Sequence, residues 1–149
     1  MGTEPAVPDV YVIDAEAAIA LARRGHTKPG GNYALFAPTL LRSQVLSILH
    51  TELVTQDGDP KEMLALAEAA CRLPRRLLGD AVLRATAWRI ATEHHWSSTL
   101  ASEYIALTLL HGKALIANDD ELRANASGIV PTDTVDSFLA RVEPEGRTS

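Results

Sequence analysis

Val10-Tyr11-Val12-Ile13-Asp14 and Ala114-Leu115-Ile116-Ala117-Asn118-Asp119 are the two stretches from which the fold of this chain is read. Each is a short, continuous β-favouring run without the polar alternation of a half-solvated strand, as expected of a strand buried on both faces of a sheet. Each ends in aspartate. Ala15 to Arg24 follows the first run at once as a helix rich in alanine and leucine, with Gly25 beyond its end and Arg23 and Arg24 in the last turn, where cations suit the helix dipole. A strand passing directly into a helix is a βα unit.

Outward from these runs the pattern repeats. Gly25–Asn32 is a glycine-rich loop, and Tyr33 to Ala37 is a short strand stopped by Pro38. A helix from about Thr39 to Val54 places Leu41, Val45, Ile48 and Leu49 on one stripe. Asp59-Pro60-Lys61-Glu62 has the form of a helix start running to about Cys71, with Asp as cap, Pro at the first helical position and Glu at the third. Another helix spans roughly Gly79 to His95, with Leu83, Ala87 and Ile90 on one face. Thr99 to His111 is nearly apolar all round and should be sandwiched inside the molecule. Ser97-Ser98-Thr99 reads as its capping region. Ile129-Val130 is expected to be a last strand, before a closing helix near Thr134–Val142 and a frayed end from Arg141 onward. Strands separated by helices imply a parallel sheet covered on both sides, an α/β architecture in one domain. The expected organisation is an extension over residues 1–9, the domain over 10–142 and a flexible tail over 143–149.

Composition narrows the function classes. At 149 residues, with 46% hydrophobic and 22% charged residues, the chain has the balance of an ordinary globular domain with a real core. Cys71 is the single cysteine, so no internal disulfide forms, and a reducing, cytoplasmic location is expected. On the apolar side of its helix with Leu64 and Ala67, it reads as core rather than nucleophile. The N-terminal residues carry Glu4 and prolines without an apolar stretch, unlike a secretory signal. No apolar run approaches the roughly 18–20 residues of a membrane-spanning helix. A net charge of −5 argues against strong non-specific nucleic-acid binding. Yet Arg72, Arg75, Arg76, Arg84 and Arg89 lie in one stretch whose only acid is Asp80. Such a stretch is either a solvated helix face or a contact for RNA or an acidic partner segment.

In open parallel sheets ligands bind beyond the carboxyl ends of the strands. If the strands ending at Asp14 and Asp119 are neighbours, their carboxylates converge on one crevice and suit Mg²⁺ or Mn²⁺, which prefer hard oxygen ligands. The structural alternative is that each aspartate caps the helix after it. His94 and His95 are adjacent and face different sides, so they make no helical metal pair. Gly30-Gly31 lacks the Lys-Ser/Thr of a phosphate loop.

Val10-Tyr11-Val12-Ile13-Asp14 and Ala37-Pro38-Thr39-Leu40-Leu41-Arg42-Ser43-Gln44-Val45 resemble the opening motifs of PIN-domain nucleases, above all the VapC-type toxins of bacteria. Arg76 to Asp80, Glu103 to Leu107 and Leu115 to Leu122 resemble that family's second half, so the likeness covers about residues 10–140. It implies a three-layer α/β/α sandwich, metal-dependent endonucleolytic cleavage of RNA with Mg²⁺ or Mn²⁺, a small antitoxin partner and a homodimer. The family's acid ending the first strand corresponds to Asp14, and that after the late strand to Asp119, with Asp120 beside it. The glutamate of the second helix falls on Gln44, and the aspartate three residues before Tyr104 falls on Ala101. An amide offers a metal one neutral oxygen and alanine offers nothing, so the resemblance implies a weakened site. Glu16, in the first turn of its helix, is placed to compensate. Glu103, two residues or about 200° around its helix from Ala101, should point elsewhere. Its structural alternative is a buried ion pair with an arginine of the 72–89 stretch. Gln44 is expected to hydrogen-bond near the strand ends or to reach a metal through water. Two readings follow: a ribonuclease with Asp14 and Asp119 as principal ligands, or a PIN fold without catalysis that grips RNA or a protein. A small-ligand binder using the same crevice is a remoter third.

Overall fold

The computed structural model describes residues 7–26 and 32–142. The elements in chain order are β1 (Asp9–Ile13), α1 (Ala15–Arg23), β2 (Tyr33–Pro38), α2 (Leu40–Gln56), α3 (Pro60–Arg72), β3 (Arg76–Leu78), α4 (Ala81–Glu93), α5 (Leu100–His111), β4 (Ala114–Ile116), α6 (Asp120–Ala126), β5 (Thr132–Asp133) and α7 (Val135–Val142). All strand pairs are parallel, in the order β3-β2-β1-β4-β5. β1 is central, pairing Val12 with Phe36 on one side and with Leu115 on the other. The two aspartate-terminated strands are therefore direct neighbours.

Both sheet faces are covered, which is why β1 and β4 are apolar without alternation. α5 lies across β1, β2 and β4 with α4 packed behind it, while α1, α2, α3 and α7 pack among themselves as the other layer. The result is the expected three-layer α/β/α sandwich. The core is continuous through it: Val12, Ile13, Leu115 and Ile116 from the sheet, Leu41 and Val45 from α2, Ile105 and Leu107 from α5, and Phe138 from α7 are inaccessible to solvent. α5 is buried from Tyr104 to Thr108, but Leu109 and Leu110 at its end emerge, so its apolar character exceeds what the interior covers. Gly112 sits tightly between α5 and β1, where an added Cβ would meet Val12 Cγ2 at 3.0 Å and Thr108 Cα at 3.2 Å. Gly112→Ala is expected to cost about 1–3 kcal/mol by overpacking, read as a lower thermal midpoint.

One strand was not anticipated and two local expectations are corrected. Arg76–Leu78 is a strand, pairing Leu77 with Ala37, although three residues leave too short an apolar pattern to stand out in a basic stretch. The last strand is Thr132–Asp133 rather than Ile129-Val130. Gly128, at φ +85°, keeps the chain turning through residue 129, and the ladder begins when Pro131 O accepts from Leu115 N at 2.9 Å. The chain does not fray at Arg141, because α7 runs on to Val142 and Arg141 pairs with Asp133. Asp59 occupies the N-cap position of α3 without a capping side-chain bond, and Thr99 does likewise at α5. Gly25 stands just past α1 at φ +83°, a left-handed position that favours glycine. Cys71 is a free, half-buried thiol packed against the core. The Gly30-Gly31 pair, most of the extension and the 143–149 tail lie outside the described residues.

Candidate functional site

Asp14 ends β1 and begins α1. Its backbone is extended, and its Oδ1 accepts from Ala17 N at 2.7 Å, the N-cap bond of α1. The same carboxylate reaches across to β4, where Oδ1 accepts from Asn118 N at 3.3 Å and Oδ2 from Asp119 N at 3.2 Å. Asp119 in turn caps α6, its Oδ2 accepting from Leu122 N at 3.0 Å. Capping and convergence, which sequence reading sets against each other, are thus both present. Asn118 completes the strand-end junction, its Oδ1 accepting from the first N–H of α7 at Val135.

Around this junction opens a cavity of about 730 Å³ whose lining includes Asp14, Glu16, Asp119 and Glu121. Asp14 is only 3% exposed. Burial pushes its carboxyl up to about 6 against the opposing pull of its three backbone donors, with the Glu16 charge adding a smaller upward push. Glu16 is also raised, by partial burial first and then by Asp119 and Asp120. Among the described residues no lysine or arginine lines the cavity, so these carboxylates share it without a lining cation.

Gln44 and Ala101, at the two positions where acids were expected, both line the crevice. Gln44 Oε1 accepts the Tyr104 hydroxyl at 2.6 Å. Burial and the Asp14 charge push the Tyr104 phenol upward, which keeps it a donor. Gln44 therefore spends its acceptor on Tyr104 and keeps its amide N–H groups.

Two auxiliary candidates fall outside the crevice wall. Asp120 is exposed and paired with Arg123, whose other nitrogen donates to Ala117 O at 2.6 Å. Glu103 is turned away, as its spacing from Ala101 predicts. The arginine partner expected for it does not materialise: among the described residues it has no ion pair, and partial burial alone raises its carboxyl. Arg84 instead donates to Gly79 O, and Arg89 pairs with Glu93 along α4.

Arg72, Arg75 and Arg76 are exposed near β3 and none lines the crevice. Arg76 lies over the Phe36 ring at 5.5 Å. The cations that adjoin the crevice are Arg23 and Arg24, in a second hollow of about 430 Å³ that shares Glu16 and Ile48 with the first. They pair with Glu52 and Asp136. Sequence reading treated them only as helix-end residues. It also missed the contribution of the α4–α5 turn to the crevice, which His95, Trp96, Ser97 and Ser98 line. A tryptophan between two helices whose ends meet the strand termini was the available signal.

Among the described residues, no three His, Cys, Asp or Glu side chains form a group able to hold a metal ion as a ready-made cage. Asp14 and Asp119 are the strand-end carboxylates on the crevice that could contribute to holding Mg²⁺, an ion that keeps several waters and is commonly held by one or two carboxylates together with substrate phosphates. No helix of the described residues is long and apolar enough to cross a membrane.

No family model matches the chain, and no curated protein matches it. Among solved structures, the crystal structure of PAE2754 from Pyrobaculum aerophilum superposes with a TM-score of 0.69 at 22% identity, over 89% of this chain and 88% of that one. At that identity the likeness establishes the three-layer fold and nothing of the chemistry.

Proposed function

We propose that the chain is a PIN-type ribonuclease of the VapC-toxin kind with a reduced metal site, acting on RNA phosphodiesters in the crevice between β1 and β4. The supporting observation is that Asp14 and Asp119, at the ends of adjacent parallel strands, line one open cavity with Glu16 beside them. Asp14 and Asp119 would hold Mg²⁺ or Mn²⁺, and Glu16 would add charge. When bound, the ion neutralises the phosphodiester and acidifies water. Asp14 is oriented for this by its three backbone donors, and Gln44 is fixed by Tyr104 so that its amide N–H groups remain available to a phosphate oxygen. With two carboxylates in place of four, the ion is taken up chiefly together with the RNA phosphate. The strand path would continue past Glu16 toward Arg23 and Arg24. Cytoplasmic residence, a homodimer and a small antitoxin meeting the Arg72–Arg76 surface complete the proposal.

Calorimetric titration with Mn²⁺, with and without a structured RNA, tests this. Uptake in the presence of RNA, abolished in Asp14→Asn, is expected; heats equal to a buffer blank in both cases would refute it. Gln44→Glu is expected to raise Mn²⁺ affinity about tenfold, because it adds a charge beside Asp14 in a poorly solvated crevice, where roughly 1.4 kcal/mol suffices for that factor.

A second reading is favoured by the Gln44–Tyr104 bond, which puts a neutral hydrogen-bonded pair where the resemblance implies an acidic ligand. Under it the same crevice grips RNA without cutting. RNA binding that proceeds with no cleavage at any Mn²⁺ concentration, while Asp119→Asn leaves affinity intact, would select it.

A further inference from the structure

The carboxylates of the crevice are assigned to the phosphodiester chemistry, but the lining residues of the α4–α5 turn are given no part in it. α4 ends at Glu93, and the chain turns through His94 and His95 before Trp96. His95 adopts φ +58°, a left-handed conformation that a histidine adopts at some cost. Trp96 N donates to Ala91 O at 2.8 Å, which anchors the turn on the helix end. The indole is half-buried, its body packed against the core, with the His94 ring alongside at 4.9 Å and tilted 30°. His94 is itself held by its Nδ1 at 2.9 Å from Ile90 O and does not line the crevice, whereas Trp96 does. Ser97 and Ser98 continue the wall, Ser98 Oγ accepting from Leu100 N at 3.1 Å. A half-buried indole thus lines the same 730 Å³ cavity as Asp14 and Asp119. That volume suits a nucleotide-sized ligand.

We propose that Trp96 is a stacking platform for an unpaired nucleobase, making the crevice selective for single-stranded RNA. The inference rests on the ribonuclease reading for the identity of the ligand. An aromatic face beside a phosphate site accepts any base, because every base has a π-face. Bases inside a duplex are stacked on one another and cannot reach it. The left-handed His95 and the Trp96 N–Ala91 O bond fix the backbone of the turn that carries the indole.

The test uses the whole chain with Ca²⁺ in place of Mg²⁺ and a fluorescein-labelled uridine octamer, alongside a labelled RNA duplex. Trp96→Ala is expected to weaken octamer binding about tenfold, read by anisotropy, with Trp96→Phe within threefold of wild type and duplex binding unchanged. Because Trp96 is partly core, circular dichroism checks the fold of the alanine variant. A second measurement leaves position 96 intact: in Trp88→Phe, which removes the only other tryptophan, the octamer is expected to quench the remaining fluorescence. Equal octamer binding by wild type and a folded Trp96→Ala, or no quenching on binding, overturns this inference and leaves the ribonuclease reading standing. Equal losses for octamer and duplex overturn it likewise. Failure of the wild type to bind either RNA overturns both.

Discussion

Phe138→Ala is expected to lower the unfolding free energy by about 3–5 kcal/mol, a large share of the 5–15 kcal/mol that holds a domain of this size together. Phe138 is completely buried and is one of two buried side chains of the short helix α7. Its ring meets Tyr11 at 4.8 Å and Tyr33 at 5.1 Å, edge to face, and those two meet each other at 6.2 Å. Alanine removes the ring and leaves a cavity that two rigid tyrosines on adjacent strands cannot close. The damage should also spread to the crevice. With Phe138 gone, α7 keeps Val135, the edge contacts of Leu139 and Val142, the Asn118–Val135 bond, the half-covered Arg141–Asp133 pair and the exposed Arg24–Asp136 pair, which contributes little. Asn118 adjoins Asp119, so a loosened α7 frees one side of the strand-end junction. Urea unfolding followed by circular dichroism reads the first effect and amide exchange at residues 117–120 the second. Phe138→Leu, which retains most of the volume, should cost far less. A midpoint unchanged by the alanine substitution would show that α7 does not close the core.

The parts of this molecule that could be read from residues alone are those set by burial on both sides. β1 and β4 announce themselves because a doubly covered strand has no polar face, whereas their adjacency, only a condition in the sequence, is set by the strand order of the folded sheet. The stripe of α2 and the position of Gly25 are visible for equally local reasons. β3 and β5 are not, since two or three residues carry no period and their pairing is decided by the strand already beside them. At the site, Asp14 and Asp119 were found by their position at strand ends. Whether they would cap helices or meet in a crevice could not be separated, since an N-cap aspartate of this geometry does both. Glu103 shows the opposite limit. Its apolar helix called for a cationic partner, but the carboxylate lies at a half-exposed margin where solvent stands in for one. Trp96 belongs to a turn whose direction depends on a left-handed residue, and no periodicity predicts that.

Acidification is expected to stabilise the folded protein, and Asp14→Asn should remove most of that effect. The Asp14 carboxyl is held at about 6 when folded, against 3.8 as its ordinary value. Between those values the folded state binds a proton that the unfolded chain releases, so stability is greatest below about pH 4, declines as pH rises through 6 and is flat above. The full difference is about 3 kcal/mol, since each pKa unit is worth about 1.4 kcal/mol. Thermal midpoints should therefore fall from pH 4.5 to 7.5 in wild type and stay nearly level in Asp14→Asn. The asparagine loses one acceptor toward the Asp119 N–H, a penalty of about 1–3 kcal/mol that removal of the desolvated charge offsets. The same substitution should abolish RNA cleavage and Mn²⁺ uptake, because a neutral amide supplies no charge to a dication. The two effects are linked. A dication held at Asp14 lowers its proton affinity, so saturating Mn²⁺ with RNA should raise the wild-type midpoint at pH 7.5 and flatten its decline with pH. A wild-type decline that survives in Asp14→Asn would assign it to another group. A decline that Mn²⁺ and RNA together leave untouched would mean that the cation binds elsewhere, and the two strand-end aspartates would then be structural alone.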